Sequence, residues 1–285
     1  MTRTAACLAC LVLAGAAARA EIRDGSFSSA ALGGEVAYLV DLPDGYGDGR
    51  LYPVVYALHG LFESHDFWVR RGLSDALARL RGAGEVPELV VVSVAARNSF
   101  FLDSPLGAFE TLLTRDLIGH VEERYDVIPG REGRALLGVS MGGYAALRIA
   151  LRRPDVARAA AAHSAMLLQE IPSQARGAGE WHMRAFERVF GNPIDPAAWS
   201  EGDPLRWAQQ AGPETPALYF DCGERDRYGL FRGNRQLHET LTARGVPHEF
   251  ALLPGDHGYD YVLSVLPRSL RFLGARLGGA KRPPR

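Results

Sequence analysis

Leu136-Leu137-Gly138-Val139-Ser140-Met141-Gly142-Gly143 is the stretch from which the whole chain can be read. Before it, Ala135 to Val139 is an apolar run of strand length. After it, Gly142 to Leu151 has the spacing of a helix with a buried face. No loop residues separate the two, so Ser140 must sit on a sharp strand-to-helix turn with its hydroxyl standing clear. The glycines two positions either side have a physical reason to be there, because a Cβ at either place would clash in so tight a turn. The helix that follows points its positive N-terminal end at the serine and favours negative charge developing there. Ser140 is therefore the candidate nucleophile.

Working outward, the same rhythm repeats. Pro53 to Leu58, Leu89 to Val94, Ala217 to Phe220 and Phe250 to Leu253 read as buried strands, and Glu35 to Leu42, which alternates, as an early edge strand. Helical faces fall between them, at Leu73/Leu77/Leu80, at Leu112/Leu113/Leu117/Val121, over Leu230 to Leu241 and over Tyr261 to Leu273. This alternation predicts an α/β fold of three layers, α/β/α, around a mostly parallel sheet. About residues 165–210 break the rhythm. They carry Trp181, Trp199 and Trp207 among Gly, Pro and acidic residues, and read as a small cap inserted between two strands, with the tryptophans as candidate pocket wall. No repeat or linker divides the chain, so residues 21–277 form one catalytic domain and 278–285 a flexible tail.

Composition narrows the function classes. The chain has 285 residues, 47% hydrophobic, which suits one large α/β domain rather than disorder. Its formal net charge of −1 removes the usual electrostatic reason to bind nucleic acid. Arg accounts for the basic residues almost entirely, Lys281 being the sole lysine, and the even spread points to coding bias. Arg3, the small and apolar run from Ala5 to Ala17, and Ala18-Arg19-Ala20 read as a secretory signal cleaved after Ala20. The run is too short to span a bilayer, so a secreted or periplasmic protein without stable membrane insertion is expected. Cleavage would remove Arg3, Arg19, Cys7 and Cys10, leaving 30 basic residues against 33 acidic ones and Cys222 as the remaining cysteine.

A serine hydroxyl needs a general base, normally a His held by a carboxylate, and in this fold class the chain order is Ser, acid, His. Of the histidines well beyond Ser140, His238 lies in a helix pattern and His248 at a β run. His257 follows Leu252-Leu253-Pro254-Gly255-Asp256, a strand end and turn, which is where a base should emerge. The acid should follow the strand ending at Phe220. Asp226 has a loop to carry it toward the base, whereas Asp221 can still lie in the strand, and Glu224 is a third candidate. Met141 N–H, directly after the nucleophile, and Leu61 N–H, in the loop after Val54 to Leu58, are the expected oxyanion donors. His59 reads as a loop-holding residue, His65, His120 and His182 as surface or helix residues, and His163, after an Ala-rich strand, as structural. No His, Asp or Glu cluster has metal-ligand spacing, and Gly33-Gly34 and Gly142-Gly143 lack the flanks of a phosphate-binding loop, so neither metal nor cofactor is implied.

These residues resemble the esterase D family of α/β-hydrolases. That group includes S-formylglutathione hydrolases, feruloyl and acetyl-xylan esterases, enterochelin-esterase-like proteins and the antigen 85 mycolyltransferases. Phe27 through Pro43 is similar to its first hairpin, and Tyr52-Pro53-Val54-Val55-Tyr56-Ala57-Leu58-His59-Gly60 to its oxyanion strand. Gly138 to Gly143 resembles its elbow, and Phe190-Gly191 and Asp203-Pro204-Leu205 its cap. Cys222-Gly223-Glu224-Arg225-Asp226 and Pro254-Gly255-Asp256-His257 are similar to the acid and base segments. The resemblance implies a triad of Ser140, Asp226 and His257, an oxyanion hole of Leu61 and Met141, and a small-molecule or carbohydrate ester as substrate. Antigen 85 proteins usually carry Asp where this chain has His59, which weakens an acyltransferase reading. The expected activity is thus serine-dependent hydrolysis of a carboxylic ester. Acyl transfer to a sugar hydroxyl is the alternative within chemistry, and a silent hydrolase fold used for binding the alternative outside it. On the reading of the N-terminus, exported protein should begin at Glu21 by N-terminal sequencing; recovery solely of an intact Met1 chain from the cytosol would refute it.

Overall fold

The computed structural model describes residues 21–173 and 180–282. The expected signal, residues 1–20, lies outside the described residues, as do 174–179 of the cap and 283–285 of the tail. Eight strands form one sheet: β1 (Glu21–Ser29), β2 (Gly34–Leu42), β3 (Val54–Leu58), β4 (Val90–Val94), β7 (Arg134–Val139), β8 (Ala159–His163), β9 (Ala217–Gly223) and β10 (His248–Leu253). A two-residue hairpin, β5 (Asp103–Ser104) with β6 (Gly107–Ala108), stands apart. The sheet order is β1-β2-β4-β3-β7-β8-β9-β10. From β4 to β10 neighbours run parallel, while β1 and β2 add an antiparallel hairpin.

Helices cover both faces, which is why the central strands are apolar at nearly every position. One face packs on α1 (Phe67–Arg70), α2 (Leu73–Gly82) and α10 (Tyr259–Leu277) through Val55, Ala57, Leu137, Leu266 and Leu270. The other packs on α3 (Phe109–Thr111), a π-helical turn at Leu112–Leu117, α4 (Ile118–Arg124), α5 (Met141–Arg152) and α9 (Phe231–Ala243) through Tyr56, Leu58, Leu136 and Phe220. The three-layer α/β/α architecture is the one expected.

Two strand readings need correction. Glu35 to Leu42 is not the sheet edge, because β1 pairs outside β2 from Glu21↔Leu42 to Ser29↔Gly34. Six of the first seven residues of β1 are solvent-exposed and most of them are polar, so it has no apolar alternation to detect. Strand β9 also runs on to Gly223, which takes Asp221 and Cys222 into the sheet.

The cap leaves the sheet between β8 and β9 as α6 (Glu180–Phe190), α7 (Pro196–Gly202) and α8 (Pro204–Ala208). Asp195 and Asp203 cap α7 and α8 by accepting from Ala197 N and Leu205 N, each with proline just inside the helix. Trp199 and Trp207 are not the pocket wall that their composition suggested. Trp199 is buried against Phe186 and Phe190, with ring centroids 5.9 and 5.0 Å away. Trp207 lies under the guanidinium groups of Arg152 and Arg206 and donates to the Glu201 carbonyl. The Trp181 side chain falls outside the described residues. The stack continues through Phe100 to Tyr144 on α5, whose hydroxyl donates to the Gly202 carbonyl at 2.5 Å, so aromatic packing ties the cap to the body. Trp199→Ala should therefore destabilise the protein by about 3 kcal/mol, the usual cost of a large aromatic cavity. Denaturant titration measures it; an unchanged midpoint would show that Trp199 does not anchor the cap.

Candidate active site

The parallel strands deliver their loops to one edge of the sheet, their carboxyl ends, where α/β sheets place ligands. Ser140 stands there at φ 54°, ψ −114°, a left-handed conformation that non-glycine residues rarely adopt. Its backbone is pinned on three sides. Ser140 N–H donates to the His163 carbonyl at 2.9 Å, and the Ser140 carbonyl accepts from Tyr144 N and Met166 N at 2.9 and 3.0 Å. The flanking glycines are required by close approach: a Cβ on Gly138 would run into the Gly142 carbonyl, and one on Gly142 into the Leu58 carbonyl.

The structure brings the expected partners together. His257, on the loop between β10 and α10, places Nε2 3.2 Å from Ser140 Oγ and Nδ1 2.7 Å from Asp226 Oδ2. Asp226 is 4% exposed, and its other oxygen accepts from Tyr228 N at 3.0 Å. With Nδ1–H donated to the carboxylate, Nε2 keeps its lone pair for the serine proton. Met141 opens α5, where amides lack a carbonyl partner one turn earlier. Leu61 lines the same cavity as Ser140 and His257, and the adjacent Gly60 packs beside Ser140 Cβ.

Asp221 is in a different place for a reason of strand parity. Residues two apart in a strand share a face. Asp221 therefore points with Tyr219 toward α10, away from the cleft side of Phe220 and Cys222. There it is fully buried and accepts from the Tyr219 and Tyr261 hydroxyls at 2.8 and 2.7 Å and from His163 Nδ1 at 2.9 Å. His163 Nε2 meets Ser269 Oγ at 2.9 Å, so this histidine is structural. Glu224 is exposed and has no contact with His257.

Other histidines sort by contact. His59 Nδ1 donates to the Gly60 carbonyl at 2.8 Å while Nε2 accepts from Ala96 N at 3.1 Å, which joins the loops after β3 and β4. Burial lowers its pKa, so it stays neutral and keeps the acceptor nitrogen. His238 and His248 hydrogen-bond each other at 2.8 Å, remote from the serine. His182 is a helix residue, on α6, and from there it lines the cleft and packs on Phe62 and Tyr228.

Two supports had no signal in sequence spacing alone. Burial, with the Asp226 charge beside it, raises the Cys222 pKa, so its thiol keeps a proton to donate to Asp226 Oδ2 at 3.6 Å. Asp256 bridges the loops that carry Asp226 and His257. Its Oδ1 accepts from Arg227 N at 2.8 Å and His257 N at 2.6 Å, and Oδ2 pairs with the Arg227 guanidinium at 2.5 Å. Arg227, then the His257 amide, hold the Asp256 carboxyl down at about 2. Over all this opens a cavity of about 1370 Å³ whose wall includes Met166, Leu167, Phe186, Phe62 and Tyr228. Among the described residues no group of three or more His, Cys, Asp or Glu side chains is arranged to hold a metal ion, and no helix is long and apolar enough to cross a membrane.

Comparison with known proteins agrees with this architecture. The chain is 28% identical over 254 residues to an esterase of Mycobacterium tuberculosis, covering 81% of this chain but 54% of the relative, so it spans about half the length of that protein. The fold is similar to that of a ferulic acid esterase, with a TM-score of 0.78 and 27% identity over 91% of this chain and 99% of the other. It is also similar to a fluorophosphonate-binding serine hydrolase of Staphylococcus aureus, with a TM-score of 0.76 and 21% identity over 90% of this chain and 98% of that one. The model of the family described as "Putative esterase" matches residues 29–273. Over residues 29–273, then, the chain belongs to that esterase family.

Proposed function

We propose that this protein is an exported serine esterase that hydrolyses a carboxylic ester through an acyl-enzyme. The observation that carries the reading is the line from Ser140 Oγ through His257 to Asp226, at 3.2 and 2.7 Å, on a strained elbow that opens into the cleft. Ser140 Oγ attacks the ester carbonyl as His257 Nε2 takes its proton. The carbonyl oxygen gains the negative charge and accepts from the Leu61 and Met141 amides, each such donor being worth roughly 10²–10³ in turnover. The C–O bond to the alcohol then breaks, with His257 returning the proton to the departing oxygen. A water, deprotonated by the same nitrogen, attacks the acyl carbon and releases the acid and Ser140. Asp226 holds the productive tautomer and stabilises the imidazolium. The N-terminal pattern supports action outside the cytoplasm.

A fluorophosphonate should label Ser140 covalently, and Ser140→Ala should lose both label and turnover, leaving at most the roughly 10³–10⁴-fold residual over water that binding and oxyanion donors supply. A variant keeping a tenth of the wild-type rate would exclude Ser140 as nucleophile.

The two aspartates give a sharper test. Asp226→Asn should lower kcat by about 10⁴, because the imidazole is then held in the wrong tautomer. Asp221→Asn should cost far less activity and instead about 1.5–3 kcal/mol of stability, since buried donors lose a charged acceptor. If kcat measurements on folded variants show Asp221→Asn as the crippled one, the acid has been misassigned.

A further inference from the structure

Beside the main cleft lies a second cavity of about 410 Å³, lined by Phe62, Glu63, Arg97, Asn98, Leu106 and Arg188. Phe62 and Glu63 belong to both walls, so the side cavity adjoins the space over Ser140. Its charges are unevenly matched. Glu63 is taken up by Arg70 at 2.6 Å and by the Tyr259 hydroxyl. At the main cleft, Asp226 faces His257 and Arg227 faces Asp256. Arg97 and Arg188 are both exposed, and among the described residues no hydrogen bond or ion pair joins either side chain to a carboxylate. The cavity therefore carries two unmatched guanidinium groups and no unmatched carboxylate.

The backbone at Arg97 is held in place by its loop, which presents the exposed side chain. It has φ 51°, and Phe62 across the cavity has φ 65°, both in the left-handed region. Such conformations persist where surrounding contacts over-determine them, and they concentrate at functional sites. Here the contacts are visible. Phe62 N–H donates to Asn98 Oδ1 at 2.7 Å, and Ala96 N–H donates to the buried His59 at 3.1 Å. The loop that presents Arg97 is thus fastened to the loop that presents Leu61. A guanidinium offers a planar fork of donors that fits a carboxylate or phosphate, and it gains most where no protein acid already occupies it.

We propose that this side cavity is an anion subsite: Arg97 and Arg188 take a carboxylate or phosphate borne by the substrate while its ester carbonyl lies at Ser140. The proposal rests on the serine-esterase reading and adds a substrate class to it, esters that carry a negative charge away from the scissile bond.

Two ester pairs test this and tell which half of the substrate carries the charge. In one, a chromogenic phenyl monoester of succinic acid is compared with its neutral methylamide. In the other, para-acetoxybenzoate is compared with para-acetoxybenzamide. Intrinsic reactivity cancels when the anionic-to-neutral ratio of kcat/KM is compared between wild type and variants. Arg97→Gln and Arg188→Gln should each lower that ratio about 5- to 10-fold in one pair, the size expected for a lost charge-assisted hydrogen bond. The wild-type ratio should also shrink between ~0.01 M and ~1 M salt, as the Debye length falls from about 30 Å to about 3 Å. Ratios that do not respond to either arginine, in both pairs, would overturn the subsite while leaving the esterase reading intact. Failure of fluorophosphonate labelling and of turnover on the neutral esters would instead overturn the esterase reading. Calorimetric titration of Ser140→Ala, with and without Arg97→Gln, reads the subsite without turnover: loss of binding for the anionic ester beyond that for its neutral partner supports it, and equal binding refutes it.

Discussion

The conformation of Ser140 is the constraint on which the rest of this structure depends. A serine at φ 54° is unfavourable by itself and would relax if its neighbours allowed it. They do not. The His163 carbonyl holds its N–H from the adjacent strand, Tyr144 and Met166 hold its carbonyl from α5 and the loop after β8, and the backbones of Leu58 and Gly142 close in where Gly138 and Gly142 leave room. Parallel pairing of β3, β7 and β8 supplies these contacts, so the conformation of Ser140 is a property of the packed sheet. The same turn puts the first amides of α5 beside the hydroxyl, where a developing oxyanion would be stabilised.

The two faces of the sheet divide the polar residues at its carboxyl edge. Toward α10, His163, Asp221, Tyr219, Tyr261 and Ser269 form a buried network in which Asp221 satisfies three donors. Toward the cleft, Asp226 satisfies His257, Tyr228 N and the Cys222 thiol. Each carboxylate has a full set of partners, as burial demands. One network braces the strands that carry the elbow, and the other reaches the serine. Asp256 adds a bridge between the loops that carry Asp226 and His257, so the 2.7 Å contact between those two residues is set by a connected framework of hydrogen bonds.

The cap is organised by aromatic packing, with Phe186 facing both the cleft and the Phe100–Trp199 stack. Changes in that stack are thereby coupled to the wall of the cavity. Next to cap helix α6, on which Phe62 packs through His182, the loops after β3 and β4 are joined through His59 and Asn98, which fixes the backbones of Phe62 and Arg97 relative to Leu61.

The sequence alone was enough to read the layer architecture, because strands buried on both faces are apolar throughout and helices between them repeat every three to four residues. It also singled out Ser140, since a tight elbow leaves its glycines two positions either side, and it marked His257 by the strand-turn-helix around it. The residue pattern did not show β1, whose exposed residues are mostly polar, so that only the resemblance over Phe27 to Pro43 pointed to a hairpin there; nor did it show the burial of Trp199 against the cap's own phenylalanines, because an apolar residue reads alike in a pocket wall and in a core. The choice between Asp221 and Asp226 belonged to the tertiary structure. Both follow the same apolar run, and the deciding facts are that β9 continues to Gly223 and that alternation then turns Asp221 toward Tyr261 while Asp226, past the strand end, reaches His257. Spacing along a chain locates turns and periods, but which face a residue takes at a strand end depends on how far pairing with the neighbouring strands extends, and only the assembled sheet determines that.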